Sequence, residues 1–320
     1  MSGEVVSRSF GVSRASASKT PGREAVATKG WWRAHRFLLL RRLSQLSVLA
    51  LFLLGPLAGL WLVKGNLSSS LTLGVLPLTD PFVLAQVLAT RHAPETSAVL
   101  GAAIVVVFYA LVGGRVFCSW VCPVNVVTDA AAWLRRRLNL GGGAHLSRQT
   151  RYWILAMCLI VAAATGTMAW ELINPVSMLH RGLFFGIGLA WVVILAVFLF
   201  DLFVVRHGWC SHLCPVGAFY SLIGRASILR VQLPAREACN NCLDCFAVCP
   251  EHQIIKAPLK GSKGAAPIIL DSRCTNCGRC IDVCSKEVFA FGPRFSVPKT
   301  LPISIQPTVA SSGQPAVERK

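Results

Sequence analysis

Four stretches of the chain carry no charged side chain and are long enough to cross a bilayer: 43–63, with 21 residues, and 96–114, 152–170 and 182–200, with 19 each. A spanning helix needs about 20 apolar residues. Gly55-Pro56 interrupts the first stretch, which a membrane helix tolerates because its neighbours re-satisfy the freed backbone groups. Asp201 stands just past the fourth, in D-L-F-V-V, so that helix can run on to Val205. The pattern predicts a membrane α-helical bundle of four transmembrane helices over residues 37–230. About 32 residues separate the first two spans and include V-L-P-L-T-D-P-F (75–82). That is long for a structureless loop, and a re-entrant or interfacial element is expected there.

The pattern also repeats. The second span ends in C-S-W-V-C-P-V (118–124), and the fourth is followed by C-S-H-L-C-P-V (210–216), 92 residues later. Two helix pairs in parallel repeat, related by an axis along the membrane normal, would produce this.

Composition agrees with the spans. Hydrophobic residues make up 54 %, charged residues 14 %, and mean hydropathy is +0.57. Soluble domains carry about 25 % charged residues, so neither a soluble globule nor a disordered chain fits. The net charge is +18. Of 32 Lys and Arg, 29 fall in residues 1–42, in 115–151 and from 206 onward, whereas the other two loops hold only Lys64, Arg91 and Arg181. Basic loops stay cytoplasmic. A multi-pass protein of the bacterial inner membrane is expected, with both termini inside. The charge is then explained by topology, and nucleic acid is not an expected partner. The basic N-terminus, 1–36, is too long for a cleaved signal and is expected to be disordered, as is the tail 293–320. Trp120, Trp133, Trp153, Trp170 and Trp209 fall at span ends, where aromatic anchors belong.

Twelve of the thirteen cysteines sit in short, regular spacings, and only Cys158 stands alone, in mid-span. Clusters of C-x2-C favour metal over a disulfide framework. Cys239-x2-Cys242-x2-Cys245-x3-Cys249-Pro250 is the bacterial ferredoxin run, and Cys274-x2-Cys277-x2-Cys280-x3-Cys284 repeats it 35 residues on. In two-cluster ferredoxins the fourth cysteine of each run ligates the other cluster. Cys239, Cys242, Cys245 and Cys284 are therefore expected to hold one [4Fe–4S] cluster, and Cys274, Cys277, Cys280 and Cys249 the second. Residues 231–292 would form a small α+β ferredoxin-like domain. Two zinc sites of four thiolates each are the competing reading, disfavoured by the three-residue gap and the duplicated spacing. Ser285 stands where the run usually has proline.

Cys118/Cys122 and Cys210/Cys214 are spaced i, i+4 and followed by proline. Four such thiols at one membrane face can bind a metal or cluster, form redox disulfides or assist cluster assembly; packing a bundle end is the plain alternative. The uncharged spans contain no histidine, which disfavours a bis-His haem. His207 and His212 flank Cys210 as ligands, proton acceptors or interfacial side chains. A helical membrane unit joined to two clusters moves electrons, and the natural donor in a membrane is a quinol, with two clusters taking its electrons one at a time. Asp201 and the segment 118–129 are the candidates near a quinol site.

From about Gly30 to Phe291 the chain resembles the NapH family, the ferredoxin-type membrane subunits of the periplasmic nitrate reductase system. The resemblance is carried by G-W-W-R-A-H-R-F-L-L-L-R-R-L (30–43), G-N-L-S-S-S-L (65–71), P-L-T-D-P (77–81), F-C-S-W-V-C-P-V-N (117–125), W-L-R-R-R (133–137), I-N-P-V-S (173–177), H-G-W-C-S-H-L-C-P-V-G-A (207–218) and C-N-N-C-L-D-C-F-A-V-C-P-E (239–251). It implies a quinol dehydrogenase component. Electrons would pass from the quinone pool to a periplasmic ferredoxin-type iron–sulfur subunit and on to the nitrate reductase. Related membrane ferredoxins imply an alternative, maturation of a cofactor or metal centre. The charge pattern puts both clusters on the cytoplasmic side, opposite that acceptor.

Overall fold

The computed structural model describes residues 20–296 except 141, 142, 145, 187 and 189. Residues 1–19 and 297–320, in the segments expected to be disordered, lie outside the described residues.

The chain opens with α1 (Arg23–Ala34), kinks at His35 and continues as α2 (Arg36–Ala58). At 1.5 Å per residue α2 is about 34 Å long, enough for a hydrocarbon core of about 30 Å. It ends at Gly59 (φ 70), so the apolar residues 59–63 are not helical. An antiparallel three-stranded meander follows, β1 (Val63–Gly65), β2 (Ser69–Thr72) and β3 (Leu76–Thr79). Then come α3 (Pro81–Ala89), α4 (Thr96–Val112), a π-turn (Phe117–Val121) and α5 (Val124–Arg137). The second half runs through α6 (Thr150–Thr165), α7 (Pro175–Phe185), α8 (Ala190–Leu199), a π-turn (Phe200–Val204), another (Trp209–Leu213) and α9 (Pro215–Ile223).

The helices of the two halves correspond, with β1–β3 inserted in the first half alone and a second π-turn in the other. Asp80 caps α3 by accepting from Phe82 N, with Pro81 in the first turn; Asn174 caps α7 by accepting from Val176 N, with Pro175 in the first turn. Each motif is a side-chain cap followed by a proline whose missing N–H is an orphan anyway. In each half an apolar helix then leads to a π-turn that carries C-x3-C, and a helix begins after the proline. The repeat therefore extends beyond the two heptapeptides to whole helical units.

Among the described residues, 23–58 is the helical run long and apolar enough to cross a membrane; Thr96–Val112, Thr150–Thr165 and Ala190–Val204 are apolar but shorter. The expected fourth span, 182–200, is not continuous. Helix α7 stops at Phe185, Gly186 takes φ 98, and α8 packs back on α7 with Ala190 against Gly182. Three glycines in seven residues allow this reversal, which a hydropathy average does not register. The exteriors of α2, α4, α6 and α8 remain apolar, with Leu46, Val107, Ile160 and Val192 all exposed.

Between the halves lies a core built on Phe82, Tyr109, Phe117, Trp170 and Tyr220. Phe117 stacks on Tyr220 with centroids 5.2 Å apart, and Tyr109 meets the same ring edge-on, an arrangement that the ring quadrupoles favour. Gly114 lets the halves touch: a Cβ there would lie 1.9 Å from Tyr220 O. Trp133 and Trp153 face outward as expected. Trp170 is buried and stacks on Trp209, while Trp120 Nε1 donates to Asn276 O; these serve packing and not anchoring. Cys158 packs against the core.

The C-terminal part closes with β4 (Leu229–Gln232) antiparallel to β5 (Ala290–Pro293), framing α10 (Asp244–Val248), α11 (Gln253–Lys260) and α12 (Arg279–Val283). The sheet starts two residues before the expected boundary at 231. Within the basic N-terminus, residues 23–34 are ordered as α1. Its first turn is held by Asp244, whose Oδ2 accepts from Gly22 N at 2.9 Å. Asp282 does the same for α2, accepting from Phe37 N and Leu38 N. Carboxylates at helix N-termini satisfy orphan N–H groups and oppose the dipole, so two acids between the cysteines tie the N-terminal helices to this domain.

Candidate iron–sulfur centres

Each cysteine run wraps a turn that places three thiols around a common space. Leu243 and Gly278, both with positive φ, precede α10 and α12 and turn the chain sharply after Cys242 and Cys277. One cavity is lined by Cys239, Cys242, Cys245 and Cys284, with Phe246, Leu259, Val288 and Phe289 as its apolar wall. A second is lined by Cys249, Cys274, Cys277 and Cys280, with Val231, Ile254, Ile255 and Ile269. Each space thus meets three thiols of one run and the last thiol of the other.

Among the described residues no three His, Cys, Asp or Glu gather tightly enough for a single ion. The donor set is instead four spread thiols per apolar-walled cavity, which fits a cluster better than a lone zinc. Backbone N–H groups point at the sulfurs: Phe246 N–H at Cys245, Asn276 N–H at Cys274 and Arg279 N–H at Cys277. Burial pushes the Cys245 and Cys274 thiols up, to about 12, so without a metal both stay protonated. At Cys277 burial is outweighed by Arg279 and Arg41, and the thiol is lowered.

Two carboxylates, Glu251 fully buried and Asp129 largely so, join the second cavity to the helical part. Glu251, directly after Cys249-Pro250, accepts from Arg115 at 2.7 Å, Arg151 at 2.9 Å and Arg148 at 3.1 Å. Glu251, Arg115 and Arg151 are each no more than 1 % exposed. Arg115 also donates to Arg273 O and Cys210 O. One guanidinium therefore holds together the end of the first run, the segment that enters the second run and the other half of the repeat. Burial alone raises Glu251, but Arg115 and Arg151 bring it below its ordinary value. Asp129 on α5 is held by Arg279 at 2.6 Å, Arg42 at 2.5 Å and Arg41 at 3.6 Å. Burial opposes its charge, but Arg279 and Arg41 lead in bringing it down to about 2.

The four thiols of the repeat motifs lie within electrostatic reach of one another between the halves. Cys210 interacts electrostatically with Cys214, Cys122 and Cys118, and Cys122 with Cys118 and Cys214. The prolines start α5 and α9, whose first N–H groups serve the preceding sulfurs: Val124 and Asn125 donate to Cys122, Val216 and Gly217 to Cys214. Thr128 Oγ1 lies 3.9 Å from Cys210 Sγ. Asp201 is fully buried and not at an interface; its Oδ1 accepts from Trp209 N at 2.8 Å and so caps the second C-x3-C turn. His207 and His212 are likewise buried. Sequence reasoning missed Glu251, Arg115 and Arg279. Their partners are 100 to 150 residues distant, and the one local cue was an acid directly after Cys-Pro.

These features define a ferredoxin-type iron–sulfur electron-transfer protein. A 4Fe-4S binding domain model matches residues 95–141 and again 187–234, one match over each half of the repeat, and a 4Fe-4S dicluster domain model matches 238–288. The ferredoxin-type protein NapH of Haemophilus influenzae is 50 % identical over 281 residues, covering 88 % of this chain and 98 % of its own length. NapH of Escherichia coli is 50 % identical over 283 residues, with the same coverage. The methylamine utilization ferredoxin-type protein MauN of Methylorubrum extorquens is 53 % identical over 266 residues, 83 % of this chain and 92 % of its own. The chain belongs to this NapH and MauN family. No solved structure matches it.

Proposed function

We propose that the protein is a multi-pass subunit of the bacterial inner membrane that oxidises quinol. Electrons then leave through two [4Fe–4S] clusters, one held by Cys239, Cys242, Cys245 and Cys284 and one by Cys249, Cys274, Cys277 and Cys280, to a periplasmic ferredoxin-type iron–sulfur partner and the nitrate reductase it serves. Both termini and the ferredoxin-like domain face the cytoplasm in this reading, which the distribution of Lys and Arg supports. The exposed apolar bands on α2, α4, α6 and α8 support a four-helix membrane bundle.

The observation that carries the reading is the direct ionic attachment of the second four-thiol cavity, lined by Glu251 and Arg279, to the helical part, through Glu251 with Arg115 and Arg279 with Asp129. Cluster sites built into the surface of the helical part suit electron exchange with a membrane-soluble donor. Cys118, Cys122, Cys210 and Cys214 provide a third redox or metal site in this scheme, at the junction through which charge bound for the opposite side would leave.

The test is anaerobic. Full-length protein in membranes should carry about eight irons and eight sulfides per chain, the content of two cubanes. A quinol analogue should reduce them within seconds, as judged by low-potential EPR signals. Iron-free protein, or clusters inert to quinol with and without the partner subunit, would refute it. A second reading is favoured by the 53 % identity to MauN, whose name ties it to methylamine utilization: the chain delivers electrons for maturation of a cofactor or metal centre. Normal nitrate reduction after deletion, with loss of a matured centre elsewhere, would select it.

A further inference from the structure

A cavity of about 640 Å³ opens between α1, α2, α5 and α12, outside both four-thiol sites. Ligand pockets for small cofactors run from about 300 to 1,000 Å³. Its walls divide by chemistry. Leu38, Val126, Ala130 and Trp133 form an apolar side, and all four are exposed at the outer surface. Arg41, Asp129, His207 and Arg279 form a polar inner end.

His207 is the informative residue there. It is 3 % exposed and its Nε2 has no partner. Its backbone sits at φ 51, a conformation that costs a non-glycine residue about 1 kcal/mol or more. A buried imidazole that lines the cavity, with Nε2 unpaired and its backbone strained, is costly without a ligand. Burial, with Arg279 and Arg206, holds the imidazole well below its ordinary value and so neutral; Asp129 opposes this in part.

The cavity also touches both cluster sites. Val248 and Val283 line it, and each directly precedes the last cysteine of a run, Cys249 and Cys284. An occupant here needs a flat apolar body, oxygens for arginine donors at one end and a hydroxyl proton to give away.

We propose that this cavity is the quinol headgroup site, with His207 Nε2 as proton acceptor and Arg41 and Arg279, fixed by Asp129, facing the ring oxygens. The proposal rests on the quinol-oxidising reading above and deepens it. Oxidation to the quinone breaks two O–H bonds and releases two protons and two electrons. The protons leave through Nε2 in turn and pass to water at the open side of the cavity. Clusters held by the two four-thiol sites would serve as the oxidant and accept the two electrons, one at each site. Asp129, kept ionised by its arginines, offsets the charge that the imidazole gains. The prenyl tail leaves past Val126 and Trp133.

The test uses full-length, cluster-loaded protein in nanodiscs and the quinol-site inhibitor 2-heptyl-4-hydroxyquinoline N-oxide, whose fluorescence is quenched on binding. Ala130→Trp fills the apolar side from an exposed position, so iron content should be kept. Inhibitor affinity should fall by about tenfold or more, a factor that binding titration resolves readily. Asparagine tolerates positive φ, so His207→Asn should bind within about threefold of wild type, yet its cluster reduction by quinol should slow by about 10²–10⁴, the range for loss of a proton acceptor. If Ala130→Trp binds like wild type while quinol still reduces the clusters, the site lies elsewhere and the proposal falls alone. If wild type neither binds the inhibitor nor accepts electrons from quinol, both readings fall. A phospholipid that the inhibitor cannot displace from this cavity would also overturn it.

Discussion

Replacing Glu251 by glutamine keeps the shape of the side chain and removes its charge. In the native protein that charge faces Arg115 and Arg151, which are essentially sealed from solvent. Removing one partner of a buried ion pair costs about 3–5 kcal/mol, because the charge left behind has neither water nor a counterion. Glutamine can still accept one hydrogen bond, so the lower half of that range is expected. Arg148 reaches the same carboxylate from a 27 % exposed position, and Arg148→Ala should cost no more than about 1 kcal/mol. The loss should be local as well. Glu251 follows the Cys249 turn, so iron bound at Cys249, Cys274, Cys277 and Cys280 should go before iron bound at the other four. Thermal unfolding of the detergent-solubilised protein, followed by tryptophan fluorescence alongside iron content, reads both effects. If Glu251→Gln costs under about 1 kcal/mol, or Arg148→Ala costs as much as it does, the Arg115–Glu251 contact is not the joint described here.

Asp129 gives a pH signature. Its carboxyl is depressed to about 2, so its contribution is complete above the ordinary aspartate value of about 3.9 and disappears as pH falls through the folded value. Wild type should lose stability between about pH 4 and 2, and Asp129→Asn should flatten that limb while lowering stability at neutral pH; an unchanged acid limb would show that another carboxylate governs it. Cys284→Ser should remove the iron held with Cys239, Cys242 and Cys245, about four atoms, and leave about four at the second site in elemental analysis; loss of iron from the second site alone would reverse the grouping. Gly114→Ala pushes a methyl against Tyr220 O and Gly224 N, backbone atoms that cannot swing aside, and should destabilise by at least about 1–3 kcal/mol, measured as a lower thermal midpoint; an unchanged midpoint would mean that the halves are not clamped there.

Local spacing in the sequence marked three cysteines of each run as neighbours, because a three-residue interval on a turn brings thiols round one point wherever that turn sits. The duplicated heptapeptide disclosed the two-fold repeat for the same reason, and the Asp80-Pro81 and Asn174-Pro175 caps that complete it were also in plain view. Hydropathy located the apolar stretches but not their continuity: the break at Gly186 depends on α8 folding back on α7, and an average over a window is blind to direction. The tail of the basic N-terminus read as solvated chain. Asp244 and Asp282 made it two docked helices, by supplying acceptors from more than 200 residues away. Trp170 read as an interfacial anchor and proved buried. The sequence by itself determined which residues can bear redox chemistry, since that is a property of side-chain type and interval. Only tertiary structure decided which charges neutralise one another and where a cavity remains, since both depend on the packing of segments that are remote along the chain.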